Sequence, residues 1–121
     1  MAMKVLAVDD SETMLNMVKQ TLEMGGYEVV VGKDGQEGLV RFKENSVDLI
    51  ITDVNMPVMD GITFIKEIRK INQDIPVITL TTESEDEMKQ KGFDAGANGW
   101  IVKPFRPAQF LDIVKQVVSD D

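Results

Sequence analysis

The chain has 121 residues, 43% of them hydrophobic, with no cysteine and a formal net charge of −8 from 21 acidic and 13 basic side chains. That length holds one domain, 1–121, with a full core and no need of disulfides. The acidic balance excludes a clustered basic nucleic-acid face, and no apolar run nears the roughly 18 residues of a membrane span or reads as a signal peptide. No nucleic acid, no membrane insertion, a cytoplasmic location and a monomeric state are therefore expected. Met1-Ala2-Met3 reads as an extra start before the natural one, and Asp120-Asp121 as a frayed acidic end.

Five short apolar runs, rich in β-branched residues, recur at intervals of roughly 20 to 28 residues. The first is Val5 to Val8. A helix follows from about Ser11 to Met24, with Met14, Leu15, Val18 and Leu22 on one side and Gly25-Gly26 as its stop. After the run Val29 to Val31 comes a helix over about Gly35 to Glu44, with Leu39 and Phe42 inward. The run Leu49 to Thr52 ends at Asp53, and a loop holding Pro57 leads to the cap Asp60. That cap opens a helix carrying Phe64, Ile65, Ile68 and Ile71. After Val77 to Leu80, a helix is expected to begin near the cap Ser84, with acids in its first turn and a thin stripe of Met88, Gly92 and Ala95. Trp100 to Val102 is the last run. The final helix has Pro107 in its first turn and turns Phe110, Leu111, Val114, Val117 and Val118 inward.

Continuous rather than alternating apolar runs mark strands covered on both faces, hence a parallel sheet. The reading is α/β: a doubly wound, five-stranded parallel sheet of order 2-1-3-4-5, flavodoxin-like, as (βα)5. Ligands of such sheets bind beyond the carboxyl ends of the strands, at the switch point between strands 1 and 3. Strand 1 ends in Asp9-Asp10, strand 3 in Asp53, strand 4 in Thr81-Thr82-Glu83, and strand 5 in Lys103-Pro104. Two carboxylates ~4 Å apart repel by about 4 kcal/mol at an effective dielectric of ~20, so three need more than one lysine to stay ionised. The remainder points to a bound cation. All-oxygen ligands without His or Cys favour Mg2+, with Mn2+ as a close substitute. With that cation, Asp53 is a candidate nucleophile for a phosphoryl group. The metal, the Lys103 ammonium and the Thr81 hydroxyl would share the three peripheral oxygens.

At these residues the chain resembles the receiver domain of two-component response regulators, within it the CheY-like single-domain chemotaxis regulators. CheY is itself a standard illustration of the 2-1-3-4-5 order, so topology adds nothing independent. The resemblance rests on Val8-Asp9-Asp10, Asp53-Val54-Asn55-Met56-Pro57 with Asp60-Gly61, Thr81, and Lys103-Pro104-Phe105. It implies that Asp53 is the phosphoacceptor. It implies Mg2+ bound by Asp10 and Asp53 carboxylates and the Asn55 backbone carbonyl, with Asp9 acting through a metal-bound water. Thr81 and Lys103 would contact the phosphoryl group, and the Lys103–Pro104 bond would be cis. Trp100 stands where the family has Tyr or Phe, the aromatic that turns inward when Thr81 moves. Asn55, Thr82 and Glu83 would tune phosphorylation and self-dephosphorylation.

The resemblance further implies a histidine kinase as phosphodonor and signalling by protein binding, not conventional enzyme turnover. The favoured output is the flagellar motor switch, in chemotaxis and flagellar rotation. The alternatives are a phosphorelay intermediate serving a histidine phosphotransfer protein, or a receiver cut from a longer regulator. Two rivals lie outside the family. An aspartyl phosphatase of the Asp-x-Asp kind would need an acid where Asn55 stands. An FMN binder would need a phosphate cradle where Asp9-Asp10 stands. Asp60 reads as a helix cap only, Met56 and Met59 as loop packing, and the charges from Glu83 to Lys91 as a solvated face.

Overall fold

The computed structural model describes residues 3–118, so the expectations about Met1-Ala2 and Asp120-Asp121 lie outside the described residues. Its elements run β1 (Lys4–Val8), α1 (Glu12–Met24), β2 (Glu28–Gly32), α2 (Gly35–Glu44), β3 (Leu49–Thr52), α3 (Gly61–Ile71), β4 (Val77–Thr81), α4 (Asp86–Ala95), β5 (Gly99–Val102) and α5 (Pro107–Val118). All four strand pairings are parallel, in the order β2-β1-β3-β4-β5. Alternation along the strands sorts side chains onto two faces. Val5, Ala7, Leu49, Ile51, Ile78, Leu80 and Ile101 meet α1 and α5 through Leu15, Val18, Leu22, Phe110 and Val114. Leu6, Val8, Ile50 and Val77 meet α3 through Phe64, Ile65 and Ile68.

Among α1 to α4, a side chain caps every helix but one. Ser11, Asp34 and Asp60 each accept a backbone N–H three residues on. The exception is α4. Its cap position is Glu85, not Ser84, and no side chain caps it. A second correction concerns Ile71, which is 53% exposed because α3 ends there and its last turn rolls off the sheet. Leu39 and Phe42 face inward but only half-buried; the buried residues of α2 are Gly35 and Gly38.

The two middle helices dock with very different strength. Phe64, Ile65 and Ile68 of α3 are fully buried, worth together on the order of 6 kcal/mol. Helix α4 buries only Gly92 and Ala95. Beneath it the sheet is also polar. Thr52, Thr79 and Trp100 stand in one register row on one face. Thr52 Oγ1 donates to the Asp53 carbonyl at 2.9 Å. Thr79 Oγ1, fully buried, has no hydrogen-bond partner among the described residues. Because a stranded hydroxyl forfeits its hydration, Thr79→Val is expected to stabilise the fold by about 1 kcal/mol. Thermal denaturation checks it. A comparable loss would show that the hydroxyl has a partner after all.

Candidate phosphoacceptor site

Asp9, Asp53 and Lys103 each sit one step beyond a strand, held by backbone bonds that extend the sheet. Asp9 N–H donates to Gly32 O at 3.1 Å, Asp53 N–H to Val8 O at 2.9 Å, and Lys103 N–H to Thr81 O at 2.8 Å. The ends of β1, β3 and β5 are thereby tied to their neighbours β2, β1 and β4. Lys103 Nζ donates to Asp9 Oδ2 at 2.8 Å and to Asp53 Oδ2 at 3.0 Å. The Lys103–Pro104 bond is cis. The remaining oxygens are engaged from below: Asp9 Oδ1 accepts Ser11 N–H at 2.9 Å, and Asp53 Oδ1 accepts Val54 N–H at 2.6 Å. Asp10 is exposed at the rim. One carboxylate oxygen each of Asp9, Asp10 and Asp53 lies within 4.8 Å of the others.

Burial raises the Asp9 pKa above 3.8; the Lys103 and Ser11 hydrogen bonds oppose this, while the Asp53 charge reinforces it. Burial would lower the Lys103 pKa, but its bonds to Asp9 and Asp53 and their charges outweigh that and raise it above 10.5. The site is thus a triad of acids around one firmly charged ammonium, with negative charge in excess. Three hard oxygen donors, one of them open to water, fit a small divalent cation such as Mg2+. The cavity reaching Asp9 and Asp53 holds about 10 Å³.

The loop after Asp53 is built tightly. A Cβ on Gly61 would overlap the Asp53 carbonyl, and Gly61 N–H donates to Val54 O at 2.8 Å. Only glycine lets α3 start this close beneath Asp53. Val58 adopts φ 70, and Met59 N–H donates back to Pro57 O at 2.7 Å, closing a γ-turn around it. A β-branched residue in that region is strained, by about 1–3 kcal/mol. Asp60 caps α3 through Thr63 N–H, and Met56 and Met59 pack against the α3-side core.

The structure gathers Asp9, Asp10, Asp53 and Lys103. Thr81, fully buried at the end of β4, instead accepts Glu83 N–H at 3.3 Å. Asn55, exposed, donates through Nδ2 to Glu83 Oε1 at 2.9 Å, bridging the loops after β3 and β4. Thr82 is exposed. Trp100 Nε1–H donates to Glu83 O at 2.9 Å, and its ring lies so close to Gly92 that a Cβ there would collide with it. Sequence reasoning treated Glu83 as one tuning position among several. Its backbone and side chain in fact join Thr81, Asn55 and Trp100, a role its side-chain chemistry alone does not announce.

A family model described as the response regulator receiver domain matches residues 5–115. The chemotaxis protein CheY of Bacillus subtilis is 36% identical over 120 residues, covering 98% of this chain and 100% of that protein. The transcriptional regulatory protein PrrA of Mycobacterium bovis is 36% identical over 115 residues, covering 95% of this chain but 49% of PrrA, so the chain spans about half the length of that relative. Among solved structures, chemotaxis protein CheY4 of Vibrio cholerae superposes with a TM-score of 0.93 at 45% identity, covering 97% of this chain and 99% of that one.

Proposed function

The chain belongs to the response regulator receiver family, and from that premise we propose that it is a CheY-like switch that takes a phosphoryl group on Asp53. Receiver domains are signalling domains that accept phosphoryl groups from histidine kinases. The observation that carries the assignment is the Lys103 ammonium bonded at once to Asp9 and Asp53 beside the open carboxylate of Asp10. Asp53 attacks the phosphorus of the donor, and the donor's leaving group departs in line. Lys103 leaves part of its bonding to the carboxylates and holds a phosphoryl oxygen. Val54 N–H steadies the acceptor. A divalent cation, for which Mg2+ is the choice, would be held by Asp10, Asp53 and the Asn55 carbonyl, with Asp9 acting through a metal-bound water. It supplies the charge that lets an anionic phosphate approach three acids.

Output follows from Glu83. Thr81 Oγ1 accepts Glu83 N–H here and keeps its own O–H to donate to a phosphoryl oxygen, so its turn toward the phosphoryl group pulls on the loop that also anchors Trp100. The indole is already tied to Glu83 O and seated on Gly92, so the signal passes as a shift of this loop and of weakly docked α4, not as free ring rotation. A partner that binds the shifted state better reads the signal. The 36% identity with CheY of B. subtilis over its full length favours a chemotaxis role at the flagellar motor switch, in the cytoplasm. The half-length match to PrrA keeps a receiver within a longer regulator as the second reading.

Two assays test this. With a chromogenic phosphomonoester, no steady turnover is expected; sustained turnover would make the chain a phosphatase. With a stable phosphoryl mimic and Mg2+, a purified motor-switch protein is expected to bind more tightly than to the free chain. Preference for a histidine phosphotransfer protein instead would assign a phosphorelay role.

A further inference from the structure

Far from the acceptor, Asn98 precedes Gly99 at the entry to β5. Its side-chain oxygen accepts two donors, Val77 N–H at 2.9 Å and Arg69 Nη2 at 3.0 Å. Two donors fix which end of the amide is oxygen. Arg69 is also bonded through Nε and Nη2 to Gly96 O, at 3.1 and 2.7 Å, and through Nη1 to Asn72 O at 3.2 Å. These partners are all neutral. Half-burial lowers the Arg69 pKa, with Asp74 only partly offsetting it. A guanidinium that ties the end of α3 to the end of α4 thus lacks a hydrogen-bonded carboxylate at the position where Asn98 stands.

Three further features bear on that amide. Asn98 is exposed and lines a groove of about 600 Å³ with Asp48, Asp74 and Pro76, so water reaches it. Asn98 N–H donates to Val77 O at 2.7 Å, so by strand alternation the next amide, Gly99 N–H, points away from β4. Since β5 is the last strand of the sheet, that is its open edge. Gly99 carries no side chain to shield its nitrogen.

We propose that Asn98 is a site of spontaneous deamidation, converting a neutral clamp on Arg69 into an ion pair. Gly99 N attacks Asn98 Cγ. The new N–C bond forms, the Cγ–Nδ2 bond breaks, and ammonia leaves with the proton of the Gly99 amide. The resulting succinimide adds one water and opens to a carboxylate, as aspartate or as its isomer with the chain running through the side-chain carbon. No oxidant or reductant takes part. Val77 N–H and Arg69 Nη2 stabilise the charge that develops on Oδ1 during the attack, as paired donors do at an oxyanion. In the aspartate product the carboxylate inherits both donors and gains the guanidinium charge.

The test is incubation of the folded chain at mildly alkaline pH, followed by peptide mass mapping. The five asparagines, Asn16, Asn45, Asn55, Asn72 and Asn98, compete in one sample. Asn98 is expected to convert first. Gly99→Ala, whose methyl would sit 3.6 Å from Ile78 Cγ1 in ordinary contact, is expected to slow it by about tenfold or more. Asn98→Asp is expected to melt no lower than the natural chain, and Asn98→Leu lower. Conversion of Asn45 ahead of Asn98, an unchanged rate in Gly99→Ala, or a lower melting point for Asn98→Asp would each overturn the proposal.

Discussion

Lys103→Met is expected to slow phosphoryl transfer to Asp53 by about 10²–10³-fold, the usual effect of removing one preorganised charge donor from a reacting oxyanion. It is also expected to destabilise the metal-free fold. The Lys103, Asp9 and Asp53 side chains are only 10%, 6% and 10% exposed, and their two bonds measure 2.8 and 3.0 Å. Removing the cation leaves two poorly hydrated carboxylates facing each other, with Asp10 close by. Stranding a buried charge costs about 3 kcal/mol or more, equivalent to a fall of roughly 10 °C in melting temperature for a domain of this size. The effects separate on adding Mg2+. The metal replaces the missing charge, so much of the stability returns while transfer stays slow. Lys103→Arg keeps the charge but replaces a compact ammonium between two oxygens with a planar fork, and is expected to recover stability better than rate. Calorimetry with and without Mg2+, beside the rate of adduct formation, reads both. A Met variant phosphorylated within a few-fold of the natural rate would remove Lys103 from the mechanism.

The second large effect concerns the metal. At a hundredfold excess over its dissociation constant, Mg2+ is expected to stabilise the chain by about 2.7 kcal/mol. Asp10→Asn is expected to abolish most of that gain and to raise the melting temperature of the metal-free chain. Asp10 is the exposed member of the acid cluster and takes no part in the Lys103 bonds, so its removal relieves repulsion without breaking a pair. The pH dependence has a definite sign. Asp9 holds its proton more tightly folded than unfolded, since burial raises its pKa above 3.8. Its contribution to stability is therefore present below 3.8 and lost as pH rises through the raised value. Lys103, raised above 10.5, contributes fully below 10.5 and loses its share as pH rises through its own raised value. The metal-free chain should weaken from acid toward neutral pH through Asp9, and again at strongly alkaline pH through Lys103. Mg2+ should reverse the first trend, because it favours the ionised acids. A melting temperature indifferent to Mg2+ and to Asp10→Asn would mean that the acids hold no cation.

The strand ends were legible because their cause is local. Uninterrupted β-branched runs such as Leu49 to Thr52 mark strands covered on both faces, and every run but Val29 to Val31, which stops at Gly32, stops at a polar residue. Once the sheet order is granted, the meeting of Asp9, Asp10, Asp53 and Lys103 follows from the backbone alone. Less legible was what side chains reach across space. Nothing in the sequence says that Lys103 bonds Asp9 and Asp53 and leaves Asp10 open, since that depends on where each strand stops and which rotamer fits. The cap of α4 slipped from Ser84 to Glu85 because the loop after β4 is held by Thr81 and Trp100 through Glu83, and tertiary bonds override capping preference there. Val58 at φ 70 contradicts its own residue preference; the tight passage from Asp53 to Gly61 imposes it. The Arg69 clamp was invisible for another reason. Its partners Gly96 and Asn98 lie 27 and 29 residues away, and two of its three acceptors are backbone carbonyls, which carry no sequence signature.

The most direct test of the central claim is intact mass after brief incubation with a small acyl phosphate and Mg2+, for the natural chain and for Asp53→Asn. The account predicts a single phosphoryl adduct that requires Mg2+ in the natural chain and is missing from Asp53→Asn. An adduct that persists in Asp53→Asn, or none in the natural chain at any time, would contradict it and leave the acid cluster as a metal-binding feature alone.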